Sequence, residues 1–371
     1  MAGPSYSPAP VVAQRLQAFF EANQGEGTGA GAPVCPPDAA AVEAVIAAAF
    51  WASLRREEGH APRISLALLP PERTERPLLF DARLPLDPAA LAKVGPAVER
   101  PGIHLGVWRF DGELRVWGMT REVPTLSFVL EVVAPGLLVV KTRRRPPSTK
   151  FANVAVLEGS DVKFVDHHGA AALDAPPALR PLSAFYVSAG LEESDNVFVQ
   201  LAISMRAQGK GGIVLVVPEG DVSWRASVVQ PINYVVSPAF AEIAELLERK
   251  DDPPGELSSA VDALAGLTAV DGATVIDHGF RVLAFGAKIA RRQGGKPPER
   301  VLLSEPIEGS GNITVDPAVL GGTRHFAAAQ FVQDQQQGIA LVASQDGRFT
   351  VFAWSPVHEM VHAHRMETLL L

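Results

Sequence analysis

The sequence predicts an α/β protein in two parts: an α+β N-terminal domain over residues 1–182, then a C-terminal domain over 183–371 built as a mixed β-sheet flanked by helices. Three observations predict it. Short β-rich runs fill residues 63–168, whereas apolar strands and helix-period stretches alternate beyond about 195. A small, Pro-rich stretch poor in charge (GAAALDAPPALRPL, 169–182) lies between the two textures and reads as a linker. The length of 371 residues, at roughly 100–200 per domain, also suggests two domains.

The elements follow in order. An amphipathic helix fits Val12 to Asn23, with Leu16, Phe19 and Phe20 on one face. A Gly-rich link, Gly25 to Gly31, leads to Asp38, which can cap a second helix carrying the stripe Val42, Val45, Ile46, Ala49 and Phe50. Ile103 to Phe110 and Glu113 to Met119 flank Asp111-Gly112, a strong hairpin signal. Leu126 to Val133 and Leu137 to Lys141 form another strand pair across Ala134-Pro135-Gly136.

In the C-terminal half a helix fits Asp195 to Gln208, stopped by Gly209, and Ile213 to Val217 is a buried strand. Ser237-Pro238 is expected to open a helix with Phe240, Ile243 and Leu247 inward, and a short helix follows the loop Lys250 to Gly255. Gly272 to Ile276 and Phe280 to Phe285 are expected to pair around Asp277-His278-Gly279. A Gly- and Pro-rich connection spans 290–320, a helix starts near Thr323, and Gly338 to Ala343 pairs with Phe349 to Trp354.

Composition excludes several classes. With 33 Lys+Arg against 41 Asp+Glu the net charge is −8, which argues against general nucleic-acid or membrane-surface binding. The single cysteine, Cys35, cannot form an internal disulfide or a cysteine-based zinc site. No apolar run reaches the roughly 18 residues of a membrane span, and the N-terminus lacks a signal pattern. The expected location is the cytoplasm.

Two segments carry chemistry. Asp271-Gly272-Ala273 opens a strand, where rigid backbone holds a carboxylate and small neighbours admit a ligand. Gly321-Gly322-Thr323-Arg324-His325 is a glycine turn feeding a helix, whose free N–H groups and two polar side chains suit phosphate. Together they describe an acid for a divalent metal facing a polyphosphate cradle. Taken singly, an Asp-Gly pair is usually a turn and an Arg-His start is usually a solvated cap.

These segments, with Ala327-Ala328, Val342 to Gly347, Gln208-Gly209-Lys210-Gly211-Gly212 and Trp224, resemble the diadenylate cyclase (DAC, DisA-N-type) family over about residues 190–357. By its general texture the N-terminal half resembles the sensor-type DACNV domain that precedes some members. The resemblance implies that two such domains face each other, each holding one ATP, and make cyclic di-AMP with release of two pyrophosphates. It implies that Asp271 binds Mg²⁺ or Mn²⁺, that Gly272, Ala273, Gly322, Thr323 and Ser344 contact the nucleotide, and that Arg324 and His325 hold phosphate oxygens. Self-association, at least transient, is thereby required.

Two positions depart from the family pattern: Phe326 stands where a second arginine is usual, and Gln333 where an acid is common. A domain that binds ATP or a cyclic dinucleotide as a sensor is the alternative. Other strings compete less well. His358-Glu359-Met360-Val361-His362 satisfies H-E-x-x-H and would hold zinc on a helix, but a polar C-terminal helix is the simpler expectation. Asp166-His167-His168 reads as a loop, Gly209 to Gly212 as a helix-to-strand turn rather than a P-loop, and the basic run Lys141 to Arg145 as solvated or anion-receiving.

Overall fold

The computed structural model describes residues 5–24, 36–143, 151–166, 197–249 and 255–371. The Gly25 to Gly31 link, Cys35, Arg144, Arg145, His167, His168, the 169–182 linker, Asp195 and residues 250–254 lie outside the described residues. Packing divides the chain into Met1–Val165 with Leu371, and Asp166–Leu370. Both units are mixed α/β. Among the described residues no helix is long and apolar enough to cross a membrane.

The first unit opens with α1 (Ala9–Gln24) and α2 (Ala39–Ser53). Asp38 caps α2, its carboxylate accepting from the Ala41 N–H at 2.8 Å. Then come β1 (Ile64–Leu68), β2 (Leu78–Pro85), α3 (Pro88–Val94), β3 (His104–Phe110), β4 (Glu113–Thr120), β5 (Phe128–Ala134), β6 (Leu137–Arg143), β7 (Phe151–Glu158) and β8 (Asp161–Phe164). They form one eight-stranded sheet in the order β2-β4-β3-β1-β5-β6-β7-β8. Among the described residues the one parallel pairing in this sheet is that of β1 with β3. The helices cover one face, where Leu16, Phe20, Val42, Ile46, Leu66, Leu105 and Leu130 are buried together. Each such side chain contributes about 1.5–3 kcal/mol of burial. Within the basic run, Lys141 pairs with Glu131 at 2.6 Å and Arg143 donates to the Val123 carbonyl at 2.6 Å, so both are engaged by their own unit.

The second unit contains α4 (Val197–Ala207), β9 (Gly212–Val217), β10 (Tyr234–Phe240), α5 (Glu242–Glu248), α6 (Glu256–Leu267), β11 (Ala273–Asp277) and β12 (Val282–Ala287). It continues with β13 (Val301–Ser304), β14 (Ile313–Val315), α7 (Thr323–Asp334), β15 (Ile339–Ala343), β16 (Phe349–Ser355) and β17 (Met360–Arg365). The sheet order is β10-β12-β11-β9-β15-β16-β17-β13-β14. Helices α4, α5 and α6 share one apolar core with Val214, Val216 and Leu341, and α7 shares the other with Leu215, Val275, Val342 and Phe352. The five-residue apolar run Ile213 to Val217 is buried throughout, as a central strand between two helical layers must be.

Three expectations are corrected. Ser237-Pro238 lies inside β10, and the helix begins only at Glu242; Ile243 is buried, but Phe240 and Leu247 are exposed. Proline is tolerated there because β10 is an edge strand, where a missing N–H breaks no ladder bond. The connection 290–320 holds two short strands, β13 and β14. The C-terminal polar helix is instead β17, paired with both β16 and β13.

Candidate functional site

One end of the second sheet gathers the residues the sequence singled out. Ala273 at the start of β11 is in register with Ile213 of β9, and Ile213 with Val342 near the end of β15. With adjacent strands about 4.8 Å apart, β11 and β15 stand roughly 10 Å apart across β9. The strand β15 leads into a tight turn, with the Gly347 N–H donating to the Ser344 carbonyl at 3.2 Å and the Ser344 N–H to the Arg348 carbonyl at 2.9 Å. Beside that turn α7 begins.

Between them opens a cleft of about 330 Å³ lined by Leu320, the Gly321 to His325 segment, and Ser344, Gln345, Asp346 and Arg348. Gly322 is the N-cap of α7 and supplies no side-chain cap. The first backbone bonds of the helix run from the His325 and Phe326 N–H groups to the Gly322 carbonyl, at 3.0 and 3.4 Å. The N–H groups of Thr323 and Arg324 precede them, in the positions that a helix start leaves for an outside acceptor. The Arg324 guanidinium lies over Gly211, whose turn precedes β9. Two guanidinium groups, Arg324 and Arg348, therefore face one cleft together with uncapped amide dipoles, and the single lining carboxylate, Asp346, is 3.4 Å from Arg348. This is an anion-receiving arrangement.

His325 takes a different place from Arg324. Its ring is buried, packed under Gly321, with Nε2 at 3.5 Å from the Thr350 hydroxyl. Burial lowers its pKa below the usual imidazole range, with Arg365 and Arg348 adding to the shift and Asp346 opposing it. At neutral pH the ring is neutral, so it supports the glycine turn and forms cleft floor without adding positive charge.

Asp271 does not line the cleft. It stands at the same sheet end, before β11, with its side chain 90% exposed and its carboxylate 3.6 Å from Lys288 Nζ. Gly272 has φ +113, and a side-chain carbon there would lie 2.5 Å from the Gly286 carbonyl carbon, so only glycine lets β11 start against β12. The Ala273 methyl is buried in the core on the α7 side. Thus Gly322, Thr323, Arg324, His325 and Ser344 come together around one cleft, and Asp271, Gly272 and Ala273 lie at the same sheet end outside it.

Sequence reasoning missed Lys288, beside Asp271, and Arg348, inside the cleft. Lys288 carries no local signal, since only the pairing of β12 with β11 brings it there. Arg348 was within reach, because it follows directly the Gly347 turn.

The H-E-x-x-H string forms no helical face. His358 and Glu359 sit in a turn, and His362 and His364 alternate along β17. Both imidazoles are buried, stacked with centroids 3.7 Å apart, and share the Ser304 hydroxyl at 2.9 and 3.0 Å. Among the described residues no group of three or more His, Cys, Asp or Glu side chains is arranged to hold a metal ion.

Comparison with known proteins gives one family. Residues 32–121 match the family described as a probable sensor domain, DACNV. No curated protein matches the chain. A crystal structure of a hypothetical membrane-spanning protein from Bacillus cereus aligns at 17% identity over 53% of this chain and 74% of that one, with a TM-score of 0.29, too low to carry an argument about fold. The N-terminal unit is thus similar to a sensor domain.

Proposed function

We propose that the chain is a sensor-regulated diadenylate cyclase: its C-terminal unit condenses two ATP into cyclic di-AMP, releasing two pyrophosphates, where two copies face each other. The observation that carries the reading is the convergence of the Arg324–Arg348 cleft and the Asp271 carboxylate on one end of one sheet. A triphosphate needs distributed positive charge and aligned N–H donors, and the start of α7 supplies both. Each of the two transfers joins a 3′-oxygen to an α-phosphorus, expels pyrophosphate and gives up the hydroxyl proton to solvent; the first makes a linear dinucleotide and the second closes the ring. Such transfer depends on positioning and charge neutralisation, with little covalent work for the protein.

Within this reading Arg324 and the Thr323 and Arg324 amides hold phosphate oxygens, and neutral His325 keeps the glycine turn in place. Asp271 fits a divalent cation in the mode that uses one protein carboxylate plus substrate phosphates, because its carboxylate is solvent-facing and, among the described residues, only Lys288 pairs with it. Mg²⁺ or Mn²⁺ held there would supply charge neutralisation at the reacting phosphate.

A second reading, an ATP or cyclic-dinucleotide sensor without turnover, is favoured by Phe326 and Gln333, which remove a cation and an acid that the diadenylate cyclase pattern has. Incubation of the full chain with ATP and Mn²⁺ or Mg²⁺, followed by chromatography, separates the two. Cyclic di-AMP and pyrophosphate that vanish in Asp271→Ala support the cyclase. Saturable ATP binding without product supports the sensor, and no binding of either ATP or cyclic di-AMP removes both.

A further inference from the structure

We propose that Arg206 is a positioning residue of this cleft: it braces the Ser344 to Arg348 turn, one wall of the site, from behind. The inference rests on the cleft being a triphosphate site. Arg206 stands in the last turn of α4, outside the cleft lining. Its Nε donates to the Gly347 carbonyl at 2.8 Å, and its Nη1 donates to the Leu370 carbonyl at 2.6 Å. One side chain thus ties together a helix, the β15–β16 turn and the last turn of the second unit. A second tie runs parallel, from the Met366 N–H to the Phe349 carbonyl at 2.8 Å.

The turn itself has only short-range backbone bonds, and its wall residues Gln345, Asp346 and Arg348 are exposed. Turns of this kind open locally unless something outside them fixes their position. Arg206 is the side chain that does so at Gly347, and a planar guanidinium can reach two carbonyls in different directions at once, which a lysine ammonium on a single stem does less well. Burial lowers the Arg206 pKa and Glu367 opposes that shift, yet a guanidinium stays charged in a protein. The charge matters because it strengthens both bonds. The consequence is preorganisation: Arg348 and Ser344 stand ready opposite Arg324 before any anion arrives.

The test measures ATP and inorganic pyrophosphate affinity of the full chain by calorimetry, beside its thermal midpoint. Arg206→Met is expected to weaken both ligands about tenfold, as misplacement of a binding wall does, and Arg206→Lys to recover part of that loss. Met205→Ala, on the same helix with its side chain buried in the apolar core and not among the cleft-lining residues, controls for destabilisation: it lowers the midpoint but leaves affinity within about twofold. If Met205→Ala weakens binding as much as Arg206→Met, or if Arg206→Met binds as the native chain does, the brace is wrong. Should Arg206→Met fail to fold, Arg206→Lys decides: affinity equal to the native chain's overturns the proposal, and an intermediate loss upholds it. Arg324→Gln separates this from the underlying reading. Unchanged ATP affinity there removes the triphosphate site itself, whereas a loss there with none in Arg206→Met removes only the brace.

Discussion

Gly321 and His325 are packed so closely that a side-chain carbon on the glycine would lie 2.6 Å from the imidazole Nδ1. Gly321 also has φ +152, a conformation L side chains rarely adopt. Gly321→Ala is therefore expected to push the ring or the turn aside, costing roughly 1–3 kcal/mol of stability. Because that turn opens the cleft, ATP affinity should fall with it. Thermal unfolding and an ATP titration of the variant check the pair; an unchanged midpoint and unchanged affinity would show that the contact is relaxed at no cost.

Where local chemistry decides, the sequence reading holds. Asp38 caps α2, and Asp111-Gly112 joins β3 to β4 in a tight hairpin, because caps and two-residue turns need only their own neighbours. The reading fails where a distant partner decides. His358 and His362 stand four apart and mimic a helical metal face, but β17 is a strand paired with β16 and β13, and Ser304, 58 residues upstream of His362, bonds both buried rings. Pro238 suggested a helix start, and only its place on the sheet edge shows why a strand accepts it. The cleft was legible in part for the same reason. Gly321 to His325 is contiguous and could be recognised, whereas Arg348, Lys288 and Arg206 gain their roles only through pairing and packing.

The Ser304 hydroxyl can donate to one imidazole and accept from the other, so it joins His362 and His364 into a single buried network. Ser304→Ala removes both bonds and leaves two buried polar rings less well satisfied, at a cost of roughly 1–3 kcal/mol. Burial, then the neighbouring His362, holds His364 well below the usual imidazole range. A lowered folded pKa means the unfolded chain takes up the proton first, so this contribution is present above the ordinary histidine pKa and is lost on acidification. Denaturant titration of native and variant chains at neutral and mildly acidic pH measures both effects. Equal stability of the two at neutral pH would exclude the network as a stabilising element.

His104 provides a second acid-sensitive point, in the sensor-like unit. It is buried against Ser65, with Nδ1 2.7 Å from the hydroxyl, and among the described residues its Nε2 has no hydrogen-bond partner. Desolvation lowers its pKa from 6.5 to about 4, with Glu131 opposing and Lys141 adding to the shift. The neutral ring's contribution is fully present above pH 6.5 and declines as pH falls towards 4, by about 3 kcal/mol in all. His104→Gln should accordingly flatten the pH dependence of unfolding in that window. A variant with the native slope would place the acid sensitivity elsewhere.

Phe326 is one of two positions where the sequence departs from the diadenylate cyclase pattern that residues 190–357 resemble. It lies in the first turn of α7, 44% exposed, and is not part of either apolar core. Its ring can thus be replaced with little loss of packing, within the few tenths of a kcal/mol typical of a surface change. Phe326→Arg places another guanidinium beside Arg324 at a helix start. That position is electrostatically unfavourable for a cation alone and becomes favourable once a polyphosphate occupies the cleft. The variant should therefore lose a little stability without ligand and gain affinity for ATP, so that added ATP raises its thermal midpoint more than the native chain's. If the native protein turns ATP over, the rate should also rise, by about tenfold or more if the added group meets charge developing on the transferred phosphate. An unchanged ATP response with the fold intact would mean that the first turn of α7 does not face the phosphates.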